Sequence, residues 1–230
     1  VICSKGIEQI SCALMSEIVS EILPSKPIAV LSGPTFAAEV ANNLPTAVTL
    51  ASEDETLAKV LMETLNSTVF RIYRSRDVIG AQIGGAVKNV LAIACGIVEG
   101  RKLGDNAKSA LITRGLAEVT RLGIAKGAQA ETFYGLSGLG DLTLTCNALQ
   151  SRNFSLGVAL GQGRNLNDVL NERVSVAEGV FTASTMISLA RQLNVDLPIC
   201  SAVNGVLNQS SDIDASINAL LLRPLKLETA

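Results

Sequence analysis

The sequence predicts an α/β unit over residues 1–76 followed by an all-α domain over residues 77–230. Two observations carry that division. Up to residue 76, short apolar runs at 1–3, 27–31, 45–51 and 69–74 alternate with helix-spaced segments, and Pro24, Pro27 and the Gly33-Pro34 pair punctuate them. After Asp77, apolar residues recur at intervals of three and four through at least five segments, with no further run of strand type. The 230 residues, 48% hydrophobic, suffice for one large core or two small ones.

The run at 1–3 reads as a strand, and Ile10, Leu14, Ile18 and Ile22 then mark a helix over 8–23. The run at 27–31 is a second strand ending at Gly33-Pro34, where Thr35 can cap a short helix through Ala41. The runs at 45–51 and 69–74 give two more strands around a helix that carries Leu57, Val60, Leu61 and Leu65. Helices are expected at 78–99, 106–125, 152–161, 177–194 and 212–222, with shorter ones at 166–172 and 198–208. The glycine-rich segment at 135–141 is expected to be a flexible loop. Three or four strands with two helices make only part of a doubly wound sheet, which needs helices over both faces. No G-x-G-x-x-G lies between a strand and a helix; Gly135, Gly138 and Gly140 run as G-x-x-G-x-G instead. With the abrupt apolar start, this predicts a chain lacking the front of its sheet domain.

Composition excludes several chemistries. There is no histidine, so neither a Ser-His-Asp triad nor a Cys-His dyad nor an imidazole metal ligand can be built from this chain. Proton transfer must fall to Lys, Asp, Glu, Tyr or Cys. With 3% aromatic residues, no Trp and a net charge of −2, the chain lacks what nucleic-acid binding needs. Cys3, Cys12, Cys95, Cys146 and Cys200 form no C-x-x-C pair and read as reduced thiols of a cytoplasmic protein, with no metal site expected. Residues 78–98 are long and apolar enough to span a bilayer, but Gln82, Lys88 and Asn89 within them favour a helix buried in protein.

Lys5 follows a strand and precedes a helix, at the edge where open α/β sheets bind ligands; an exposed turn lysine is the alternative. Gly33-Pro34-Thr35 repeats that setting, and an ordinary turn explains it equally well. Lys88 is the only charged residue between Asp77 and Glu99. Gly84 and Gly85 precede it by one turn, so it lies over backbone stripped of side chains. Close helix packing with Lys88 reaching the surface is one reading; a lysine whose proton exchanges under mild conditions is the other. Asp141 can supply a nearby carboxylate. Ser151 is a natural N-cap, and Arg152 adds a planar cation to a helix terminus suited to phosphate. Together these residues suggest an anionic, phosphorylated small molecule.

Five motifs, SKGIE at 4–8, LSGPTFA at 31–37, GGAVKNV at 84–90, GLSGLGDLT at 135–143 and SRN at 151–153, resemble in order and spacing the NAD(P)-dependent glycerol-3-phosphate dehydrogenases of the prokaryotic type. The resemblance implies part of a Rossmann domain followed by a helical domain like that of 6-phosphogluconate dehydrogenase. It implies reversible hydride transfer between sn-glycerol 3-phosphate and dihydroxyacetone phosphate, supplying glycerol 3-phosphate for phospholipid synthesis, with NAD or NADP as cofactor and NADPH favoured. Lys88 matches the catalytic lysine. Lys5, Gly33, Thr35, Lys88, Asp141, Ser151, Arg152 and Asn153 match substrate-contacting positions, and Lys5, Ala37, Arg152, Val176 and Glu178 match cofactor contacts. A homodimer without nucleic-acid or membrane partners is implied. Two other readings stay open: a non-catalytic helical module for dimerisation or phosphometabolite binding, and a related β-hydroxyacid-type dehydrogenase with another substrate.

Overall fold

A computed structural model describes residues 1–172, 177–225 and 227–228. Strands β1 (Val30–Ser32), β2 (Thr46–Ala51) and β3 (Phe70–Ser75) form one sheet in that order, β1 antiparallel to β2 and β2 parallel to β3. The run at 1–3 does not make a full strand. It adds one parallel bridge, in which Ile2 N donates to Ala29 O at 2.7 Å and Leu31 N donates to Ile2 O at 2.9 Å.

Helices α1 (Met15–Ile22), α2 (Ala37–Ala41) and α3 (Glu55–Leu65) accompany the sheet. Side chains alternate across a pleated strand. Accordingly Val48, Leu50 and Ile72 pack with Leu57, Leu61 and Met62 of α3, while Val30 and Ala51 face the other way and pack with Ala81.

The expected helix at 8–23 begins only at Met15. Glu8 is the reason: its carboxylate accepts from Ile10 N at 3.0 Å and Ser11 N at 2.6 Å, drawing those amides out of any helical ladder. Cys12 then takes a left-handed φ of 59°, and Ile10 stands 93% exposed. Thr35 does not cap α2 either; its hydroxyl donates to Gly33 O at 3.3 Å, and Phe36 is the flanking residue.

Helix α4 (Val78–Gly100) runs from the sheet into the helical domain and is buried from Gly80 to Val98. Asp77 fixes its start: one carboxylate oxygen accepts from Gly80 N at 2.8 Å, the other from Gln129 N at 2.9 Å and the Thr132 hydroxyl at 2.6 Å. The helix is long and apolar enough to cross a membrane, yet it is covered by protein. Around it pack α5 (Asp105–Lys126), α6 (Asp141–Asn147), α7 (Arg152–Gly161), α9 (Glu178–Gln192) and α10 (Pro198–Asn208); α8 (Leu166–Asn171) and α11 (Ile213–Leu221) complete the domain.

Glycines set the tightest crossing. A Cβ on Gly96 or Gly100 of α4 would run into the carbonyl of Phe154 or Val158, and one on Gly157 or Gly161 of α7 would run into that of Ile93 or Ile97. The two backbones therefore touch, and residue numbers rise together along both helices. The start of α7 is thereby held beside the stretch of α4 that follows Lys88.

The segment at 135–141 is not a flexible loop. A 3-10 turn at Ala130–Tyr134 leads into a π-helical turn at Leu136–Gly140, which continues directly into α6. Its glycines serve packing: a Cβ on Gly138 would overlap the Phe133 backbone.

Candidate active site

Lys88 lies midway along α4, and the bare turn before it is filled from two sides. A Cβ on Gly84 would collide with the Ser137 carbonyl, so the π-helical turn presses directly onto the α4 backbone. A Cβ on Gly85 would meet Ser32 Oγ at 3.2 Å and Lys5 Cδ at 3.4 Å, so the other side admits the Lys5 stem and the end of β1. The π-helical turn delivers Asp141 as the first residue of α6.

Asp141 joins both lysines. Lys88 Nζ donates to Asp141 Oδ1 at 2.5 Å and to Thr145 Oγ1 at 3.0 Å, and Lys5 Nζ donates to Asp141 Oδ2 at 2.6 Å. Thr145, one turn after Asp141, donates its own proton to Asp141 O at 2.6 Å, leaving a hydroxyl lone pair for Lys88. The side chains of Asp141, Lys88 and Lys5 are 0%, 9% and 20% exposed.

Burial pushes the Lys88 ammonium down to about 8 from the ordinary 10.5; Asp141 pulls it up, and the Lys5 ammonium adds to the lowering. Two cations on one carboxylate leave an excess positive charge at a largely buried site, which favours an arriving anion. A lysine with a proton affinity near neutrality can hold or release a proton at little cost. Cys146, behind this group, is kept as a thiol: its hydrogen bond with Cys95 and its burial both push its pKa up.

A second group gathers at the start of α7. Ser151 caps the helix by accepting from Phe154 N at 3.2 Å. Arg152, half exposed, lies 3.7 Å from Glu178 Oε1, while Glu178 Oε2 accepts from Asn89 Nδ2 at 3.3 Å. Asn153 Oδ1 accepts from Gly179 N at 3.0 Å. Asn89 follows Lys88 in the chain, so this group borders the first along α4.

The structure thus brings Lys5, Lys88 and Asp141 into direct contact. It sets the Gly33-Pro34-Thr35 turn against the π-helical turn, where a Cβ on Gly140 would meet Pro34 Cγ at 3.6 Å. Ala37 is exposed at the start of α2, apart from either hydrogen-bonded group. Val176 lies outside the described residues. Sequence reasoning missed Thr145, although its i+4 spacing from Asp141 would have paired them on a recognised helix. It also missed Asn89 and Ser32. Among the described residues, no three His, Cys, Asp or Glu side chains gather as a metal site would require.

Residues 77–218 match the family model described as NAD-dependent glycerol-3-phosphate dehydrogenase C-terminus, and residues 1–58 match its N-terminus counterpart. The chain belongs to this dehydrogenase family. It is 62% identical over 228 residues to glycerol-3-phosphate dehydrogenase (NAD(P)+) of Rhodospirillum rubrum, covering 99% of this chain and 65% of that protein. The similarly named enzyme of Parvibaculum lavamentivorans is 56% identical over 229 residues, 100% of this chain and 69% of that one. A crystal structure of glycerol-3-phosphate dehydrogenase from Coxiella burnetii superposes with a TM-score of 0.92 at 43% identity, over 96% of this chain and 68% of that one. The chain therefore spans about two thirds of the length of these relatives. Family membership favours the dehydrogenase over an unrelated helical module.

Proposed function

We propose that the protein catalyses the reversible, NAD(P)-dependent interconversion of sn-glycerol 3-phosphate and dihydroxyacetone phosphate. The observation that carries this reading is the buried Lys88–Asp141 pair, with Lys5 on the second carboxylate oxygen, in a chain of this family. We take residues 1–76 as part of the dinucleotide-binding domain and residues 77–230 as the substrate domain.

A nicotinamide, when bound, supplies the hydride exchange that the side chains themselves cannot. The residues present suit the reactive end of such a cofactor and the anionic substrate: two lysines at one end of α6, a sheet edge at Gly33, and Arg152 and Glu178 beside Asn89 of α4. No strand, glycine-rich turn and helix for a pyrophosphate occurs among the described residues. Lys5, Ala37, Arg152, Val176 and Glu178 are the proposed cofactor contacts.

Lys88 accepts the proton of the substrate hydroxyl on oxidation and returns it to the carbonyl oxygen on reduction. Its lowered proton affinity suits both directions. Asp141 and Thr145 fix the direction of the Lys88 amine, and Lys5 holds the second oxygen of Asp141 in place. Arg152 and the positive end of α7, with Ser151 and Asn153, receive the phosphate. Gly33 and Thr35 close the site from the sheet side.

NADPH is proposed as the preferred cofactor, the cytoplasm as the location and phospholipid synthesis as the use of the glycerol 3-phosphate formed. A homodimer is proposed as well, supported by a mean hydropathy of +0.37 and by exposed Leu221, Leu222, Leu225 and Leu227.

The test is oxidation of NADPH and NADH by dihydroxyacetone phosphate, with the protein at its full natural length. Turnover with the phosphorylated ketone and little with unphosphorylated dihydroxyacetone supports the reading. Equal rates with both ketones, or none with either, count against it.

A further inference from the structure

Ser32, the last residue of β1, carries a buried hydroxyl without a hydrogen-bond partner. The residue is 4% exposed. Its neighbours on β1 show which way it faces: Val30, two residues earlier and on the same side, packs with Ala81 of α4, so Ser32 also faces α4. One turn further along α4 it meets Gly85, where an added Cβ would lie 3.2 Å from Ser32 Oγ and 3.4 Å from Lys5 Cδ. The hydroxyl therefore sits beside the Lys5 stem and one turn before Lys88, on the wall where the two lysines converge.

A buried polar group without a partner costs free energy, and most native groups avoid it. Alanine at this position would fill the strand equally well and remove the cost. Gly85 adds to the observation, since its missing side chain leaves the hydroxyl and the Lys5 stem room that a methyl group would restrict.

We propose that Ser32 is a further substrate-contacting residue, whose hydroxyl hydrogen-bonds an oxygen on the three-carbon chain of the bound phosphorylated triol or ketone. An alcohol or carbonyl oxygen held near Lys88 is the right chemistry for it, because a serine hydroxyl both donates and accepts and so suits either oxidation state. The phosphate is left to Arg152, whose partner Glu178 meets Asn89 one turn further along the same face of α4 as Gly85. This inference rests on the dehydrogenase reading.

The experiment compares Ser32→Ala with the unsubstituted protein at full natural length, in steady-state reduction of dihydroxyacetone phosphate and in thermal unfolding. Loss of one substrate hydrogen bond is expected to lower kcat/KM for dihydroxyacetone phosphate about 3- to 15-fold, with KM for the reduced nicotinamide cofactor unchanged. Tm is expected to stay level or rise, since an unpaired buried group has been removed. Ser32→Cys, of similar size but with a weak donor, should fall between the two. An unchanged kcat/KM, a change confined to the cofactor KM, a lowered Tm, or a Ser32→Cys protein more impaired than Ser32→Ala would each overturn the inference. No turnover in the unsubstituted protein would overturn the dehydrogenase reading itself, and this one with it. Turnover there with an indifferent Ser32→Ala would overturn only the assignment of Ser32.

Discussion

Lys88 and Lys5, 83 positions apart in the sequence, hold opposite oxygens of the Asp141 carboxylate, at 2.5 Å and 2.6 Å. One comes from the middle of a buried helix and the other from the edge of a sheet, so the carboxylate ties the two parts of the fold together. It also makes the proton affinity of Lys88 depend on both Asp141 and Lys5.

That dependence gives a signed pH prediction. With the Lys88 pKa near 8, kcat/KM for glycerol 3-phosphate oxidation should rise with pH through about 8, as the neutral amine forms. Reduction of dihydroxyacetone phosphate needs the ammonium and should fall over the same range. Lys5→Met removes a cation that lowers the Lys88 pKa, so both limbs should move to higher pH. Asp141→Asn removes the anion that raises it, so both should move to lower pH. Profiles that stay fixed in both variants would show that another group titrates.

Asp141→Asn should also cost stability. Two ammonium groups would lose their shared counter-charge, and removing one partner of a buried pair typically costs about 3 kcal/mol. Urea unfolding measures it, and a cost below about 1 kcal/mol would place the pair in a wetter setting than its burial indicates.

The touching backbones of α4 and α7 predict a large effect from a small change. Gly96→Ala gains about 1 kcal/mol of helix propensity but forces a methyl group into the Phe154 carbonyl and to 2.8 Å from Gly157 Cα. Overpacking of this kind should dominate, for a net loss of about 2 kcal/mol in urea unfolding. Because the crossing also places Arg152, KM for the phosphorylated substrate should rise. A more stable Gly96→Ala would contradict the contact.

Glu118 is buried on α5 and accepts from Ile199 N at 2.7 Å and Cys200 N at 3.1 Å, satisfying the first turn of α10. Burial raises its pKa above the ordinary 4.5, the two amide bonds opposing the rise only in part. The folded state therefore holds this proton more tightly than the unfolded chain does. The resulting contribution to stability is full below pH 4.5 and is lost as pH rises through the folded value. In Glu118→Gln that component of the pH dependence should vanish, seen as a flatter plot of unfolding free energy against mildly acidic pH. An unaltered slope would assign it to other groups.

Periodicity made the helical domain legible: α7 to α11 fall within about two residues of where the apolar spacing puts them. Lys88 stood out because an isolated charge on a buried helix needs a reason. Local signals failed where side chains compete with the backbone, as Glu8 does for the amides of Ile10 and Ser11. They failed again at 135–141, whose glycines suggest a mobile loop, although Gly138 is pressed against the Phe133 backbone and the Ser137 carbonyl against Gly84 of α4. The sharing of Asp141 by Lys5 and Lys88 spans up to 136 positions and leaves no local trace. Thr145 became visible only once α6 was known to be a helix.

Lys88→Met probes the proposed transfer of the substrate proton by Lys88. The substitution keeps the length and apolar stem of the side chain, leaves Asp141 paired with Lys5, and removes only the amine. Steady-state turnover of dihydroxyacetone phosphate should fall about a thousandfold while the thermal unfolding curve stays cooperative. Turnover within about threefold of the unsubstituted protein would contradict the assignment of the proton to Lys88.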